Sequence, residues 1–165
     1  MTDIGLVVLG VVLGVVLGFF LAFVPPWYDR KRRLKGHFCA LRAELELCEE
    51  KAKIFLKDEI ASPLYRMPLR VYEVAVPMLL SENALTEAET MSVARFYSQA
   101  EDINRGLDNA AAMLAQRDEE GRNREVGRLI LKAKRMVESV EGKEPLYKEA
   151  KAVVDLKISL HWWQY

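Results

Sequence analysis

The hydrophobic pattern of the chain begins with an unbroken apolar run, Ile4 to Val24, that holds no charged side chain. About 20 apolar residues at roughly 1.5 Å each cross a hydrocarbon core of about 30 Å, so this run predicts a transmembrane helix. The residues before it, Met1, Thr2 and Asp3, include no base, and no Ala-x-Ala-like site ends the run. These features favour an uncleaved anchor over a signal peptide.

Within this run, a Val-Val-Leu-Gly tetrad is repeated three times in succession, from Val7 to Gly18. The repeat places Gly10, Gly14 and Gly18 on one helix face as a GxxxGxxxG stripe. Small residues at this spacing let two helix backbones approach closely in lipid, which predicts self-association or binding to another membrane helix. The alternative is that glycine is simply frequent in membrane helices and that the repeat is of low complexity.

An aromatic and basic segment follows the apolar run. Trp27 and Tyr28 fit the aromatic belt of a membrane interface. The bases that follow are Arg30, Lys31, Arg32, Arg33 and Lys35. Under the positive-inside rule they place the N-terminus outside and the C-terminal part in the cytoplasm, and we expect the inner membrane of a bacterium. The same charges could bind anionic lipid headgroups, although their effect on topology accounts for them alone.

Beyond Pro25 and Pro26, which mark the predicted membrane exit, apolar residues recur at spacings of three and four. This pattern is typical of helices that pack with left-handed, heptad-type geometry. A long helix should begin near Trp27 to Arg30, and its apolar seam comprises Leu34, Phe38, Leu41, Leu45, Cys48, Ala52 and Phe55. A second seam comprises Val93, Phe96, Ala100, Ile103, Leu107, Ala110 and Leu114. A third comprises Val126, Ile130, Ala133, Val137 and Val140.

Proline residues interrupt the stretch between the first two seams. Ser62 and Pro63 match a cap followed by proline at the first helical position, which begins a short helical stretch, Leu64 to Leu80. Pro77 should kink this stretch or end its regular part.

Capping residues and glycine set the remaining predicted ends. Thr86 and Glu89 match a capping box at the start of a helix that runs to about Glu119 and stops at Gly121. Two further helices are expected, over 123–141 and 146–160.

Together these patterns predict an all-α protein in three parts. An N-terminal transmembrane anchor with its interfacial end covers 1–28, and the basic juxtamembrane start of a stalk helix covers 29–37. A cytoplasmic helical bundle covers 38–165, with about four or five antiparallel helices in heptad-type packing.

Charge and motifs exclude several functional classes. When Asp3, Asp29 and the five bases of the juxtamembrane segment are set aside, 22 acidic and 19 basic side chains remain, a net charge of about −3. This balance argues against nucleic-acid binding. The chain contains no GxGxxG, P-loop, GxSxG or HExxH pattern, so we do not expect an enzyme. The carboxylates expected on solvated helix faces are Glu44, Glu46, Glu49, Glu50, Glu101 and Asp102.

Metal and redox chemistry are not expected either. Cys39 and Cys48 are about half a turn out of phase on one helix, so neither a disulfide nor a shared metal is expected between them. His37 and His161 are the two histidines, and neither follows an acid by three residues as a di-iron bundle requires. We therefore expect no metal and no cofactor.

Two features allow more than one interpretation. Asn104 lies at the edge of the second seam, where it is either a buried amide that fixes helix register or an exposed residue. Trp162 and Trp163 either cap the bundle, dock at the membrane interface or form a C-terminal recognition peptide.

Several short segments occur in a recognisable order. Leu41 to Glu44 lies in a long helix, Pro68 to Glu73 follows in a proline-rich insert, and Phe96-Tyr97 with Asp102 to Asn104 lies in a later helix. Over roughly 38–108 the chain resembles a diffuse set of bacterial membrane-anchored small helical-bundle proteins. Leu47-Cys48 and Tyr72 stand where that set usually has an Asn and a Trp. The resemblance implies a membrane helix and a small cytoplasmic bundle, and no activity.

We therefore expect a membrane-anchored, non-catalytic interaction or assembly module that self-associates through the glycine stripe. Its expected partners are the lipid bilayer and either a second copy or another membrane protein. One alternative is a membrane-active effector or channel component, although the apolar run has no polar residue to line a water path. Another is a cryptic ligand-binding or enzymatic bundle, which needs an apolar cavity with convergent polar groups.

Overall fold

The computed structural model of the chain describes residues 2–59, 61–140 and 142–160, and it confirms the all-helical prediction for them. Five α-helices are present in this part of the chain: α1 (Thr2–Asp58), α2 (Arg70–Ser81), α3 (Glu87–Ala115), α4 (Glu119–Val137) and α5 (Leu146–Ser159). A short 3₁₀ helix, Pro63–Tyr65, precedes α2. The described residues form no strand, apart from one isolated bridge between Val140 and Lys143.

Helix α1 is continuous over 57 residues and contains Pro25 and Pro26 in its interior. The prediction that a new helix begins near Trp27 to Arg30 is therefore wrong. The two prolines remove two backbone donors, but their fixed φ matches helical geometry, and helices of membrane type tolerate the freed carbonyls. At about 1.5 Å per residue, α1 is a rod of roughly 85 Å that joins the apolar run directly to the rest of the protein.

The core lies where α1, α3, α4 and α5 meet, and α2 packs against α1 and adds Ala75, Val76 and Leu79 to it. Each of the seven seam residues of α1 is buried. On α3, six of the seven are buried and Leu114 is 55% exposed. Among the predicted seam residues, those with at most 1% exposure include Phe38, Leu41, Leu45, Phe55, Val93, Phe96, Ile103 and Leu107.

Helix α2 contains Pro77 and continues through it to Ser81, so the predicted kink or end at this proline did not set the helix boundary. The carbonyl that loses its donor belongs to Glu73. Both Glu73 and Pro77 are exposed, so water can satisfy this carbonyl. Ser62 accepts from the amide of Leu64 at 3.3 Å, which makes it the cap of the short 3₁₀ helix.

The capping box at the start of α3 is confirmed, and the predicted end of this helix is wrong. The Glu89 amide donates to Thr86 Oγ1 at 3.3 Å, and the Thr86 amide donates to the Glu89 carboxylate at 2.7 Å. Helix α3 ends at Ala115, and the chain turns at Arg117, which has a φ of 60°. Gly121 lies inside the first turn of α4 and donates to Asp118 Oδ1 at 2.9 Å.

The predicted seam of α4 is confirmed at Ala133 and displaced by one residue on either side of it, to Leu129 and Met136. Leu129, Ala133 and Met136 are its fully buried apolar side chains, whereas Val140 lies beyond the helix and is 39% exposed. Gly142, with a φ of 74°, and Pro145 lie between α4 and α5. His161 and the tryptophans at 162 and 163 lie outside the described residues.

Candidate functional site

Residues 8–30 of α1 are exposed on all sides of the helix. It is the one helix in the described part of the chain that is long and apolar enough to span a membrane, and none of its apolar window is buried against the protein. Apart from α1's own backbone and adjoining residues, nothing lies within 4 Å of a Cβ built at Gly10, Gly14 or Gly18. The stripe is therefore open to the close approach of another helix.

Beyond the apolar run, the side of α1 that carries the glycine stripe remains largely exposed. Because 18 residues make five turns of a regular helix, Gly18, Gly36 and Ile54 lie on the same side of α1. We call this side the outward face of α1: Gly36, Ala40, Ala43, Leu47, Glu50 and Ile54, of which Ala40 is half-buried and the others are exposed. Leu47 is 50% exposed and Ile54 is 41% exposed, whereas the buried seam occupies the opposite side of the helix.

Part of the predicted interfacial segment lines a cavity of about 230 Å³ at the end of the bundle nearest the apolar run. We call it the membrane-proximal crevice. Helix α1 contributes Trp27, Arg30, Lys31 and Leu34. The turn after α2 contributes residues 82–84, and the end of α5 contributes Lys157 and Leu160. Tyr28, Arg32, Arg33 and Lys35 are exposed and do not line it.

Ion pairs and a cation–π contact hold the polar groups of the crevice in place. Arg30 Nη2 lies 2.5 Å from the Glu82 carboxylate, and Lys31 Nζ lies 4.1 Å from the centre of the Trp27 ring. Lys157 Nζ lies 2.9 Å from the carboxylate of Glu89, and both side chains are largely buried. Lys157 follows Lys31 by 126 positions, so sequence reasoning about the basic segment did not include it.

A second polar cluster lies inside the bundle, and it corrects the prediction that Glu44 is solvated. Glu44 is only 3% exposed. Its carboxylate accepts from the amides of Val71 at 2.7 Å and Tyr72 at 2.9 Å. Leu69, which precedes α2, offers no side-chain cap, so Glu44 caps this helix from α1. A helix start without a capping residue of its own was the signal in the sequence.

The groups around Glu44 are structural rather than reactive. The Cys48 thiol donates to the carbonyl of Pro68 at 3.3 Å, and burial raises the pKa of this thiol to about 12. The ring of Tyr97 stacks on Tyr72 at 4.1 Å, and burial raises the pKa of its phenol far above the ordinary value. A thiol and a phenol held neutral supply no nucleophile at physiological pH.

Asn104 is half-buried, and both polar atoms of its side chain form hydrogen bonds with the backbone of Met67. It accepts from the amide of Met67 at 2.7 Å and donates to the carbonyl of Met67 at 2.9 Å. This supports the buried-amide interpretation, but its partner is the loop before α2 rather than another helix. Asn104 and Glu44 together fix the two ends of the segment that leads into α2.

A larger cavity than the crevice, about 500 Å³, is an open groove between α3, α4 and α5. Its charges are mixed, with Arg95 and Arg135 facing Glu138 and Glu149. Among residues 2–59, 61–140 and 142–160, no three His, Cys, Asp or Glu side chains are grouped so that they could hold a metal ion. Comparisons with protein-family models, curated proteins and solved structures found no match to this chain.

Proposed function

We propose that this chain is a single-pass, membrane-anchored assembly module whose copies associate side by side along α1. The observation that carries the proposal is the continuity of α1, because it sets the glycine stripe in phase with the outward face. One helix side can then serve both in lipid and below it. The module is non-catalytic in this proposal, with its N-terminus outside and its bundle in the cytoplasm of a bacterial inner membrane.

The proposal includes left-handed, antiparallel heptad packing within the bundle. It is supported by the spacing of the buried seam residues on α1 and α3. The outward face repeats the spacing of three and four residues on the opposite side of α1. Its apolar residues, which include Gly36, Ala43 and Leu47, are exposed and not buried in the bundle. A helix with two apolar seams can pack inside its own bundle and against a second copy.

Charge favours a parallel pair, which is also the arrangement that two anchors of one orientation require. In a parallel pair the residues that flank a seam face partners five positions further along the other helix. Beside the outward face, Glu46 would face Lys51 of the second copy, and Lys53 would face Asp58. Both pairs are of opposite sign. Glu50, within the face, would oppose its own copy and weaken the association.

The test is the mass of the full chain in lipid discs. A Gly14→Ile substitution places a branched side chain in the stripe and should shift the population from dimer or higher oligomer toward monomer. Val16→Ile is the matched control, because it adds bulk two residues away, about 200° round the helix. A monomeric wild type, or a Gly14→Ile chain with wild-type mass, contradicts the proposal.

Cys39 provides a second readout without substitution. It is exposed beside Ala40 of the outward face, whereas Cys48 is buried. In a parallel pair the two Cys39 thiols lie near each other, so a bismaleimide should link two wild-type chains in discs. Val16→Ile should give the same yield, and Gly14→Ile a much lower one. Equal yields from all three contradict an association that uses the stripe.

A further inference from the structure

We propose that the membrane-proximal crevice is a binding site for the phosphate-bearing headgroup of an anionic phospholipid. The inference rests on the proposed membrane insertion of α1, because insertion brings the crevice to the bilayer surface. It goes beyond that function by assigning a ligand class to a cavity built from three separate parts of the chain.

The depth of the crevice matches the headgroup layer. Trp27 and Lys31 lie three and seven residues beyond Val24, the last residue of the apolar run. At about 1.5 Å per residue they stand about 5–10 Å past the hydrocarbon boundary. The polar layer on each side of a bilayer is about 5–8 Å thick. An inserted α1 therefore opens the crevice toward lipid headgroups.

The charges of the crevice suit a phosphate. Arg30, Lys31 and Lys157 line it, against one lining carboxylate, Glu82. Counting Glu89, which pairs with Lys157 from behind, the group of five side chains still has one positive charge in excess. Their contacts within the protein hold these cations in place, so little side-chain freedom is lost when a phosphate binds.

The apolar part of the lining suits a lipid rather than a free ion. The indole of Trp27 and the side chains of Leu34 and Leu160 border the cationic groups. Trp27 is 39% exposed, on the side of the crevice nearest the apolar run. An aromatic ring at this level contacts the glycerol and upper acyl region while bases bind the phosphate. The cavity, at about 230 Å³, is smaller than a drug-sized pocket of about 300–1,000 Å³, as expected for a headgroup.

Lys157 distinguishes a specific headgroup site from general electrostatic attraction to an anionic membrane. The basic juxtamembrane segment would attract any anionic membrane through Arg32, Arg33 and Lys35 as well, and these three lie outside the crevice. Lys157 belongs to α5 and reaches the crevice only through the fold. Loss of Lys157 should therefore weaken headgroup binding as loss of Lys31 does, and loss of Lys35 should not.

The experiment uses the full chain in discs of phosphatidylcholine mixed with phosphatidylglycerol, and counts by native mass spectrometry the lipids retained on each chain. We expect one phosphatidylglycerol retained in preference to phosphatidylcholine. Lys31→Gln and Lys157→Gln should each lower this preference about fivefold. Lys35→Gln, with the same change in charge, is the matched control. Lys157→Arg keeps the charge beside Glu89 and should preserve the preference, which separates binding from folding.

Each other outcome overturns the inference. Equal losses from Lys31→Gln and Lys35→Gln mean diffuse attraction, and no lipid preference means no site. If the chain retains inorganic phosphate but shows no preference for phosphatidylglycerol, the site takes a free phosphate instead. Protection of the apolar run, residues 4–24, from protease in the same discs reports insertion. A chain that inserts without lipid preference therefore contradicts only this inference, and a chain that does not insert contradicts the proposed function.

Discussion

At the scale of single residues, one carboxylate determines how α2 is held. A Glu44→Ala substitution leaves the amides of Val71 and Tyr72 without their acceptor in a buried setting. We expect the free energy of unfolding to fall by about 2–3 kcal/mol, with faster amide exchange at these two residues. Glu46→Ala is the control, since Glu46 is exposed, and it should change stability by less than about 1 kcal/mol. Similar losses from both would show that Glu44 is not the cap.

The two cysteines should differ sharply in reactivity. Cys39 is exposed, whereas Cys48 is buried and its thiol has a pKa raised to about 12. At pH 8 the Cys48 thiol is therefore protonated, and only the thiolate reacts. Iodoacetamide should add one group to the native chain and two to the unfolded chain, as measured by mass. Two additions under native conditions would mean that the α1–α2 contact opens readily.

The uncapped start of α2 signals a missing partner, but the sequence could not identify Glu44 as that partner, although it placed the neighbours of Glu44 correctly. Leu41, Leu45 and Cys48 follow the seam periodicity, so their burial is predictable from spacing alone. Glu44 precedes a seam residue and is buried only because an uncapped helix start lies against it. That contact joins residues 27 and 28 positions apart, a distance at which local pattern carries no information.

At the scale of elements, the close contact between α3 and α4 depends on Gly106. A Cβ at Gly106 would overlap Leu129 and would lie 2.8 Å from Glu125 Oε1. Gly106→Ala should therefore destabilise the protein by about 1–3 kcal/mol. Gly127→Ala is the opposite case, because nothing lies within 4 Å of its added Cβ, and it should stabilise α4 by about 0.5–1 kcal/mol. Thermal unfolding should show a lower stability for Gly106→Ala and a higher stability for Gly127→Ala than for the wild type.

The same contact explains why the seam of α4 was misplaced. Apolar side chains cover a wide arc of α4, so spacing alone does not fix which of them faces the core. Leu129 packs against the backbone of Gly106, which has no side chain. The orientation of α4 about its own axis therefore depends on a residue of α3. The α3–α4 boundary differs from the predicted one for another reason. A glycine at 121 predicts a helix stop, but Asp118 caps α4 and its carboxylate occupies the space that a side chain at 121 would need.

At the scale of the whole molecule, α1 couples the glycine stripe to the outward face through helical phase. Inserting two alanines after Tyr28 should rotate the outward face relative to the glycine stripe by about 200°. Inserting seven alanines restores the relative orientation to within about 20°. We expect the two-residue insertion to lower the Cys39 cross-linking yield in discs. The seven-residue insertion should recover most of that yield, although it moves the bundle further from the membrane. Equal yields from both insertions would show that phase does not matter.

In the proposed membrane-anchored protein, the continuous α1 makes the bundle a lever on the membrane. A spanning helix adjusts to a thinner bilayer by tilting, commonly by about 20°. From Pro25 to Asp58, α1 extends about 50 Å. Without a joint at the surface, such a tilt moves the far end of the rod sideways by about 17 Å. A change in bilayer thickness of a few ångströms is thereby converted into a large lateral displacement of the bundle.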